Sequence, residues 1–457
     1  MTHSPQTLSP ETIARHASQA LPRYTSYPTA PHFHPGIGAE AYRGWLGALP
    51  AKASLSLYVH VPFCDTLCWF CGCHTKITRQ YQPIARYLDA LIREIDTVAA
   101  AAPAGAEVTH IHWGGGSPTI LSPADILRLC AALRRAFRVA RHAEFAVEID
   151  PRGMDEARID ALVAGGLTRA SVGVQDFDPA VQAAINRVQS VEETRRVIEA
   201  CRARGVRSLN IDAIYGLPGQ HAAQLARTLD AVVGLAPDRI ALFGYAHVPW
   251  MKRHQAMIAQ ADLPGALERY AQAEQAGERL VAAGFERIGI DHFARPEDPL
   301  ATAARAGRLQ RNFQGYTVDP ADALIGLGAS AIGRLPQGYV QNEPAIAEYE
   351  RRTGDDGLAA VRGLALTEDD RLRAEVIERL MCDLAFSARS VAGRRADLAR
   401  PLIDCASAVI ADDVDGFVAP TSDGFRVTAR GRPFVRTIAA RFDAYLPANK
   451  ARHSVAV

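Results

Sequence analysis

The chain has 457 residues, of which 48% are hydrophobic and 22% are charged. That length corresponds to about three average domains, or to one large α/β domain with small additions. The apolar content excludes disorder throughout the chain. The 51 Lys and Arg residues nearly balance the 50 Asp and Glu residues. This balance argues against a general nucleic-acid binder, because such a protein needs excess cations to displace counterions from phosphates.

The residue pattern also argues against a membrane or secreted protein. No apolar run reaches the roughly 18 residues of a membrane helix, and the N-terminal residues lack the apolar centre of a signal peptide. Eight cysteines in a chain of this length do not make a disulfide scaffold. We therefore expect a cytoplasmic protein, without a membrane span and without a nucleic-acid partner, and we take a monomer as the default.

The first two predicted regions are an N-terminal arm and an α/β domain. Residues 1–50 are rich in Pro, His, Ser and Thr and predict the arm, whereas residues 51–365 alternate short β-branched runs with amphipathic segments. This alternation predicts a parallel sheet with crossover helices, either an open doubly wound sheet or a full or partial barrel. The predicted strands are Ser54–Val61, Val108–Trp113, Glu144–Ile149, Arg169–Val174, Ser208–Ile214, Arg239–Phe243 and Glu286–Ile290. The predicted helices are Pro83–Ala101, Pro123–Phe137, Asp155–Ala164, Val191–Arg204, His221–Gly234 and Pro264–Ala283.

The last predicted region, residues 366–457, has a different pattern. Two helical stretches precede two short strand-like runs and a final helix, an order that predicts a small, mainly helical, winged-helix-like domain. The elements are helices at Thr367–Leu384 and Asp397–Asp412, strands at Gly416–Pro420 and Gly424–Thr428, and a helix at Gly431–Ala444.

A cysteine cluster follows the first predicted strand. Cys64, Cys68 and Cys71 have the spacing Cys-x3-Cys-x2-Cys and lie on one loop. Ligands of parallel α/β folds bind at the C-terminal edge of the strands, so the three thiols are expected at a binding edge. Cysteine thiolates at such local spacings hold iron–sulfur clusters.

Two other interpretations of the cluster stay open. Zinc is one, with Cys73, His60 or His74 completing a tetrahedron, although structural zinc usually takes its ligands from two separated knuckles. Such a zinc site would make the protein a zinc-stabilised binding module, with the winged-helix-like segment recognising the partner. The near-zero net charge argues against this function. A reactive dithiol of Cys71 and Cys73 is the other alternative.

The cysteine motif also carries a family resemblance. Three cysteines leave one iron of a four-iron cluster without a protein ligand. With Phe70 before the third cysteine, Cys64, Cys68 and Cys71 resemble the signature of the radical S-adenosylmethionine (SAM) superfamily. The resemblance implies that the open iron binds the amino and carboxylate groups of SAM, and that one-electron reduction yields a 5′-deoxyadenosyl radical.

Longer phrases narrow the resemblance. Pro22–Ala30, Ser171–Phe177, His292–Pro296 and Arg311–Thr317 are similar to phrases of the oxygen-independent coproporphyrinogen III oxidase (dehydrogenase) family. The resemblance implies a step of heme biosynthesis, in which two propionate side chains of coproporphyrinogen III become vinyl groups and protoporphyrinogen IX forms. The fold it implies is an incomplete parallel β/α barrel, closed by the arm and the C-terminal domain.

The resemblance also implies the site residues and cofactors, namely one [4Fe–4S] cluster and two SAM molecules. Cys73 matches a cysteine that is not a ligand in the family. The cluster ligands are Cys64, Cys68 and Cys71. The residues around the cluster-bound SAM are Tyr58, Gly115, Glu148, Ala246 and Ile332, and those around the second SAM are Phe70, Gly116, Ser117, Gln175, Arg187 and Asp212. The residues near the path of the radical, taken as catalytic, are Gln314 and Ile332.

Partners and rival functions complete the expectations. The family chemistry needs a reductant protein and an electron acceptor, neither of which the sequence identifies. A rival function is a heme-handling protein without decarboxylase activity, but such relatives lack the Pro22–Ala30 and Asn312–Thr317 phrases present here. Arg305, Arg308 and Arg311 recur every three residues, so on a helix they would share a face as a solvated basic stripe or a clamp for carboxylates.

Overall fold

The computed structural model describes residues 8–393 and 396–446. Residues 1–7 of the predicted arm, and residues 394–395 and 447–457 of the predicted C-terminal domain, lie outside the described residues. The strands are, in chain order, β1 (Ser54–Val61), β2 (Phe63–Cys64), β3 (Lys76–Ile77), β4 (Glu107–Gly115), β5 (Arg138–Ile149), β6 (Arg169–Gln175), β7 (Ser208–Tyr215), β8 (Arg239–Gly244), β9 (Glu286–Ile288), β10 (His292–Ala294), β11 (Gln310–Asn312), β12 (Gly315–Thr317), β13 (Ala323–Leu327), β14 (Ile332–Leu335), β15 (Gly338–Asn342), β16 (Ala360–Ala365), β17 (Ala385–Ser387), β18 (Val418–Thr421) and β19 (Gly424–Val427). The helices are α1 (Pro10–Ala17), α2 (Ala39–Gly47), α3 (Gln82–Ala101), α4 (Pro123–Ala136), α5 (Glu156–Ala164), α6 (Pro179–Ala184), α7 (Val191–Ala203), α8 (Ala222–Gly234), α9 (Ala266–Ala282), α10 (Pro299–Arg305), α11 (Ile346–Asp355), α12 (Glu368–Asp383), α13 (Ala388–Ala392), α14 (Ala396–Ala411) and α15 (Val435–Ala440).

One large sheet dominates the fold. Its strand order is β16-β15-β14-β13-β1-β4-β5-β6-β7-β8-β10-β9. The central run from β13 to β8 is parallel, whereas the strands on either side of that run pair antiparallel. Because β16 and β9 stand at opposite edges, the sheet does not close on itself.

The parallel strands curve around a common interior. Ser56 of β1, His112 of β4, Glu148 of β5, Ser171 of β6 and Asp212 of β7 all line one cavity of about 240 Å³. Residues at alternate positions of a strand point to the same face, so a single cavity lined from neighbouring strands requires a concave sheet. An open, concave parallel sheet with crossover helices is the predicted incomplete barrel, and it confirms that prediction.

The crossover helices form where the sequence supplies caps and apolar faces. In α4, the Ser122 side chain accepts a hydrogen bond from the amide of Asp125, and Pro123 takes the first helical position. Both features favour a helix start, since Pro lacks an amide that would need a partner there. Ile126, Leu129 and Leu133 share one face, which is buried against the sheet.

Two elements differ from the sequence prediction. The segment predicted as a seventh parallel strand, Glu286–Ile290, is a short strand, β9, that pairs antiparallel with β10 at the edge of the sheet. The seventh parallel strand is instead β13, which pairs with β1 on the other side. β13 has only five residues and no crossover helix of the usual kind before it, so the βα alternation gave no signal for it.

The arm packs on the C-terminal domain. Leu8, Ile13 and Ala17 of the arm belong to one apolar cluster with residues of α12, α14 and α15. The hydroxyl of Tyr24 donates to Asp443 Oδ2 at 3.0 Å. The helices and the antiparallel β17-β19-β18 sheet agree with the predicted mixture of helices and a hairpin. Among the described residues, no helix has the length and apolar character needed to cross a membrane.

Candidate active site at the open end of the barrel

The cysteine loop follows β1 and is fixed by backbone hydrogen bonds. The amide of Trp69 donates to the Ile185 carbonyl at 2.9 Å, and the Asn186 side chain donates to the Leu67 carbonyl at 2.8 Å. The amide of Lys76 donates to the Pro62 carbonyl. Loop residues between β1 and α3 therefore lie against the segment after α6, at the C-terminal ends of β1 and β6.

Two arginines contact the buried Cys68 sulfur. Arg187 Nη1 lies 3.6 Å and Arg152 Nη2 lies 3.5 Å from Cys68 Sγ. Both guanidinium groups also pair with Asp150, at 3.1 Å and 2.7 Å. Burial opposes ionisation of Asp150, but Arg187 and then Arg152 outweigh it and lower the pKa of the carboxyl group. The Cys68 sulfur therefore lies within 3.6 Å of two cations that share one carboxylate.

The pKa shifts of two of the three thiols are consistent with a metal cluster that carries positive charge between them. Burial, and then the neighbouring Cys71 and Cys68, raise the pKa of Cys64 to about 12. A hydrogen bond from Cys73 is the largest cause that lowers the pKa of Cys71. Adjacent thiolates repel one another, and a positively charged centre between them removes that repulsion. The donor set, three thiols on one loop, therefore fits an iron–sulfur cluster.

A single-ion zinc site fits this region less well. Tyr58 Oη and the His74 carbonyl lie 2.9 Å and 3.0 Å from the two ring nitrogens of His60. His74 Nε2 lies 2.7 Å from the Pro344 carbonyl oxygen. Both histidines are thus already engaged, and within residues 8–393 and 396–446 no group of three or more His, Cys, Asp or Glu side chains is arranged to hold a metal ion. A four-iron cluster is larger than one ion, so its ligands need not meet around a single point.

The glycine run at the end of β4, Gly114–Gly116, packs directly against the cysteine loop. Gly115 has φ +115°, and a Cβ there would lie 2.7 Å from the His60 ring. A Cβ on Gly116 would lie 2.5 Å from the Phe63 carbonyl oxygen. The amide of Ser117 donates to that same carbonyl at 2.7 Å, and the Ser117 hydroxyl lies 3.2 Å from that of Thr119. Only glycine fits at position 115, both for its backbone conformation and for its neighbours.

Glu148 links the glycine run to the cavity. Its Oε2 accepts from the Gly115 amide at 3.2 Å, and its Oε1 lies 3.2 Å from His112 Nε2. Burial favours the neutral form of this carboxyl group, but the hydrogen bond and charge of His112 outweigh it, so the pKa of Glu148 is lowered. Tyr58, whose ring stacks on His112, lies beside it. Glu148 is thus a half-buried carboxylate at the rim, with its side chain 39% exposed.

Asp212 is a second half-buried carboxyl group, with the opposite pKa shift. Its oxygens accept from Ser171 Oγ at 3.1 Å and from Asn210 Nδ2 at 2.7 Å. Burial, and then the charge of Glu148, raise the pKa of Asp212. Arg187, which the resemblance groups with Asp212 around the second SAM, forms its ion pair with Asp150. Glu148 and Asp212 line the same cavity, which we call the central cavity.

The remaining candidate residues surround this edge of the barrel. Gln175 ends β6 with φ +69°, a conformation that non-glycine residues adopt mainly where the surrounding structure imposes it. Gln314 lies in the β11–β12 turn and lines the central cavity. Ile332 begins β14 and packs on an apolar cluster that contains Tyr339. Phe70 and Ala246 lie on the cysteine loop and on the loop after β8.

Sequence reasoning assigned no role to Asp150, the partner of Arg187, to Arg152, which also pairs with Asp150, or to His112 and His292. Their positions in the sequence could have indicated a role. His112 lies two residues before the glycine run in β4, and Asp150 directly follows β5. The expected shared helix face of Arg305, Arg308 and Arg311 is wrong. α10 ends at Arg305, Arg308 is exposed, and Arg311 is a buried residue of β11.

Known proteins share both the sequence and the fold. The model of the radical SAM superfamily matches residues 58–232. An oxygen-independent coproporphyrinogen III oxidase of Paracoccus denitrificans is 48% identical over 429 residues, covering 93% of this chain and 94% of the relative. This chain belongs to the oxygen-independent coproporphyrinogen III oxidase family. A relative of the same name from Escherichia coli is 42% identical over 427 residues, covering 93% of each chain.

A solved structure supports the same family. Coproporphyrinogen III oxidase (HemN) from Escherichia coli, described as a radical SAM enzyme, has a TM-score of 0.88 and 40% identity, covering 93% of this chain and all of that chain. The family resemblance inferred from the sequence phrases is thereby confirmed. Membership of the radical SAM superfamily implies a [4Fe–4S] cluster and SAM as cofactors.

Proposed function

We propose that this chain catalyses the oxygen-independent oxidative decarboxylation of coproporphyrinogen III in heme biosynthesis. Two propionate side chains become vinyl groups, each losing carbon dioxide, a proton and two electrons, and protoporphyrinogen IX is the product. The observation that carries this proposal is that Glu148, Asp212 and Gln314 of the β11–β12 turn line one cavity. Glu148 also accepts from the amide of Gly115, and the glycine run that contains Gly115 packs against the cysteine loop. The relatives that bear this activity in their names cover nearly the whole chain.

The proposed cluster ligands are Cys64, Cys68 and Cys71. When bound, the reduced cluster and SAM together supply a 5′-deoxyadenosyl radical that removes a hydrogen atom from the propionate. Arg152 and Arg187 place two guanidinium groups within 3.6 Å of the Cys68 sulfur. Cys73 is not assigned as a ligand.

Two groups of residues are proposed to bind two SAM molecules. Gly115 and Glu148 hold a backbone amide and a carboxylate together at the rim, an arrangement suited to the amino group of an amino acid. The first SAM is proposed to contact Tyr58, Gly115, Glu148, Ala246 and Ile332. The second SAM is proposed to contact Phe70, Gly116, Ser117, Gln175, Arg187 and Asp212. The Asp212 carboxyl group, which lines the central cavity, and the constrained backbone of Gln175 favour a ligand here.

Gln314 and Ile332 are proposed to act along the path of the radical. Gln314 borders the central cavity with an amide side chain, and Ile332 supplies apolar surface next to the Phe313 and Tyr339 rings. Apolar walls exclude water and stray hydrogen donors from a reactive carbon centre. We further propose a division into an arm (1–50), a barrel with extensions (51–365) and a C-terminal domain (366–457), with the arm and the C-terminal domain closing the mouth.

The proposed partners follow from the electron balance. The reaction needs a one-electron reductant protein and an acceptor for the electrons that leave the substrate. The exposed edge of the cysteine loop, at Gly72 and Cys73, is the natural side for electron entry. A cytoplasmic monomer is the proposed state.

The test is an anaerobic assay with reconstituted protein, coproporphyrinogen III, SAM and dithionite. The products, oxidised to porphyrins, are analysed by mass spectrometry. The proposal expects two successive losses, each equal to the mass of carbon dioxide plus two hydrogen atoms, together with 5′-deoxyadenosine. Cys68→Ala serves as the inactive control. Porphyrin binding and SAM cleavage without any change in porphyrin mass would reject the proposed activity in favour of a heme-handling role.

A further inference from the structure

A second cavity has five arginines in its lining. It has a volume of about 80 Å³ and lies between β8, the β9–β10 turn, α9, the arm and α15. Its cationic lining residues are Arg23, Arg269, Arg287, Arg311 and Arg436. We call it the arginine cavity. Among the described residues that line it, the carboxylates are only Glu274 and Asp291.

The charges of this cavity are unevenly matched. Arg287 pairs with Glu274 at 3.3 Å, which leaves Asp291 as the remaining carboxylate of the described lining. Burial is the largest cause that lowers the pKa of Arg436, to about 9. Repulsion from the positive charges of Arg23 and Arg311 lowers it further. Burial opposes ionisation of Asp291, but Arg311 outweighs it and lowers the pKa of Asp291 to about 2. The field in the cavity is therefore strongly positive and favours an anion.

Arg311 is the most telling member of the cavity. Its side chain is only 4% exposed, and its Nη2 lies 3.7 Å from Asp291. The Nε and Nη1 atoms have no hydrogen-bond partner among the described residues. Buried donors without a partner cost free energy comparable to a lost hydrogen bond. A planar guanidinium with two donors to spare is well suited to a carboxylate.

The arginine cavity adjoins the central cavity. His292 lines both, and the hairpin that carries Arg311 also carries Gln314 at the central cavity. The volume of the arginine cavity fits a carboxylate group and not a tetrapyrrole ring. A molecule with several carboxylate arms can thus occupy the central region and place one arm among the arginines.

We propose that the arginine cavity binds one carboxylate of the substrate, belonging to a propionate that does not react in that turnover. This inference rests on the proposed function, because the substrate is then a tetrapyrrole with four propionate side chains. Binding this arm orients the ring and presents another propionate at the central cavity. Arg311 is the principal ligand, and Arg23, whose side chain is exposed to the cavity, assists from the arm.

The test compares Arg311→Met, Arg311→Lys and the control Arg308→Met as anaerobic, cluster-loaded proteins. Arg308 is an exposed cation three residues away that does not line the cavity. Removing a charge-assisted pair weakens binding by about tenfold to a hundredfold. We expect that rise in KM for coproporphyrinogen III and in Kd for coproporphyrin III with Arg311→Met, a smaller rise with Arg311→Lys, and none with Arg308→Met. We expect kcat of Arg311→Met to stay within a few-fold of the wild-type value, because the lost contact would bind the substrate equally in the ground state and in the transition state.

Two further measurements separate the alternatives. The Kd for SAM should be unchanged in Arg311→Met; a parallel loss of SAM affinity would instead assign the cavity to the carboxylate of SAM and overturn the inference. Unchanged KM and Kd for the porphyrin ligands in Arg311→Met, with an active wild type, would overturn this inference alone, whereas an inactive wild type would reject the proposed function. If Arg311→Met does not fold, Arg23→Gln is held to the same criteria.

Discussion

The cysteine loop and the arginine cavity both gather buried cations, but they neutralise them differently. Beside Cys68, Arg152 and Arg187 share the single carboxylate of Asp150, and both also contact the Cys68 sulfur. In the arginine cavity, Arg311 and its neighbours outnumber the carboxylates of the described lining. The first arrangement preorganises ligands for a resident cofactor, whereas the second stays positive until an anion arrives. In the first region the protein supplies a carboxylate shared by both cations, whereas in the second a bound anion would have to balance the remaining positive charge.

The largest effect is expected at the cysteine loop. Cys64→Ala, Cys68→Ala and Cys71→Ala should each abolish the cluster and the activity, because a cluster with two thiolate ligands loses its anchoring. The measurement is iron and sulfide content with visible absorption after anaerobic reconstitution. Cys73→Ala is the matched control and should retain iron. If Cys73→Ala loses iron while one of the other three retains it, the proposed ligand set is wrong.

The comparison also explains how much the sequence could predict. The barrel strands carry local signals, and the predicted bounds of β1 agree with the structure residue for residue. The candidate residues of the rim follow successive parallel strands, so their common edge was expected from topology alone. Asp150 and Arg152 were not assigned because an acidic residue after a strand is ordinarily a solvated loop residue or a helix cap. Their meeting with Cys68 depends on tertiary packing that spacing does not encode.

The arginine cavity lay beyond sequence reasoning for the same physical reason. Arg23, Asp291, Arg311 and Arg436 come from four segments that are far apart in the chain. The three-residue spacing of Arg305, Arg308 and Arg311 suggested one helix face, but α10 ends at Arg305 and the chain turns into β11. A periodicity of three has meaning only if the helix continues, and the glycine at position 307, with φ +63°, stops it.

The next largest effect concerns the rigidity of the rim. Gly115→Ala should lower the free energy of unfolding by roughly 3 kcal/mol and impair SAM binding, since the new methyl group would meet the His60 ring in an unfavourable backbone conformation. Denaturant unfolding and SAM titration measure this. Gly153→Ala is the control, because φ there is +68° but nothing lies within 4 Å of the added Cβ. It should cost only about 1 kcal/mol; equal losses in both variants would refute close packing at Gly115.

The pH dependence of stability tests the ion pairing of Asp291 in the arginine cavity. The pKa of Asp291 is lowered to about 2 in the folded protein, against about 3.9 in an unfolded chain. A lowered pKa contributes stability above the unfolded value, and that stability is lost as pH falls towards the folded value, here about 2.5 kcal/mol in total. The stability gap between wild type and Asp291→Asn should therefore be constant from pH 7 to 5 and narrow below pH 4. Unfolding by urea across this range measures the gap, and a gap that does not narrow contradicts the ion pairing of Asp291.

The smallest effect tests how the arm is attached. The buried Tyr24 hydroxyl donates to Asp443 Oδ2, so Tyr24→Phe should cost about 1–2 kcal/mol of stability. Tyr42→Phe, in the barrel core, is the matched control, because the Tyr42 hydroxyl is buried without a hydrogen-bond partner among the described residues. Removing a hydroxyl that has no partner should leave stability unchanged or raise it slightly.

Since Arg23 precedes Tyr24, loosening the arm should also raise KM for coproporphyrinogen III in Tyr24→Phe and not in Tyr42→Phe. Equal stability and equal KM in the two variants would mean that the Tyr24–Asp443 contact does not hold the arm over the arginine cavity.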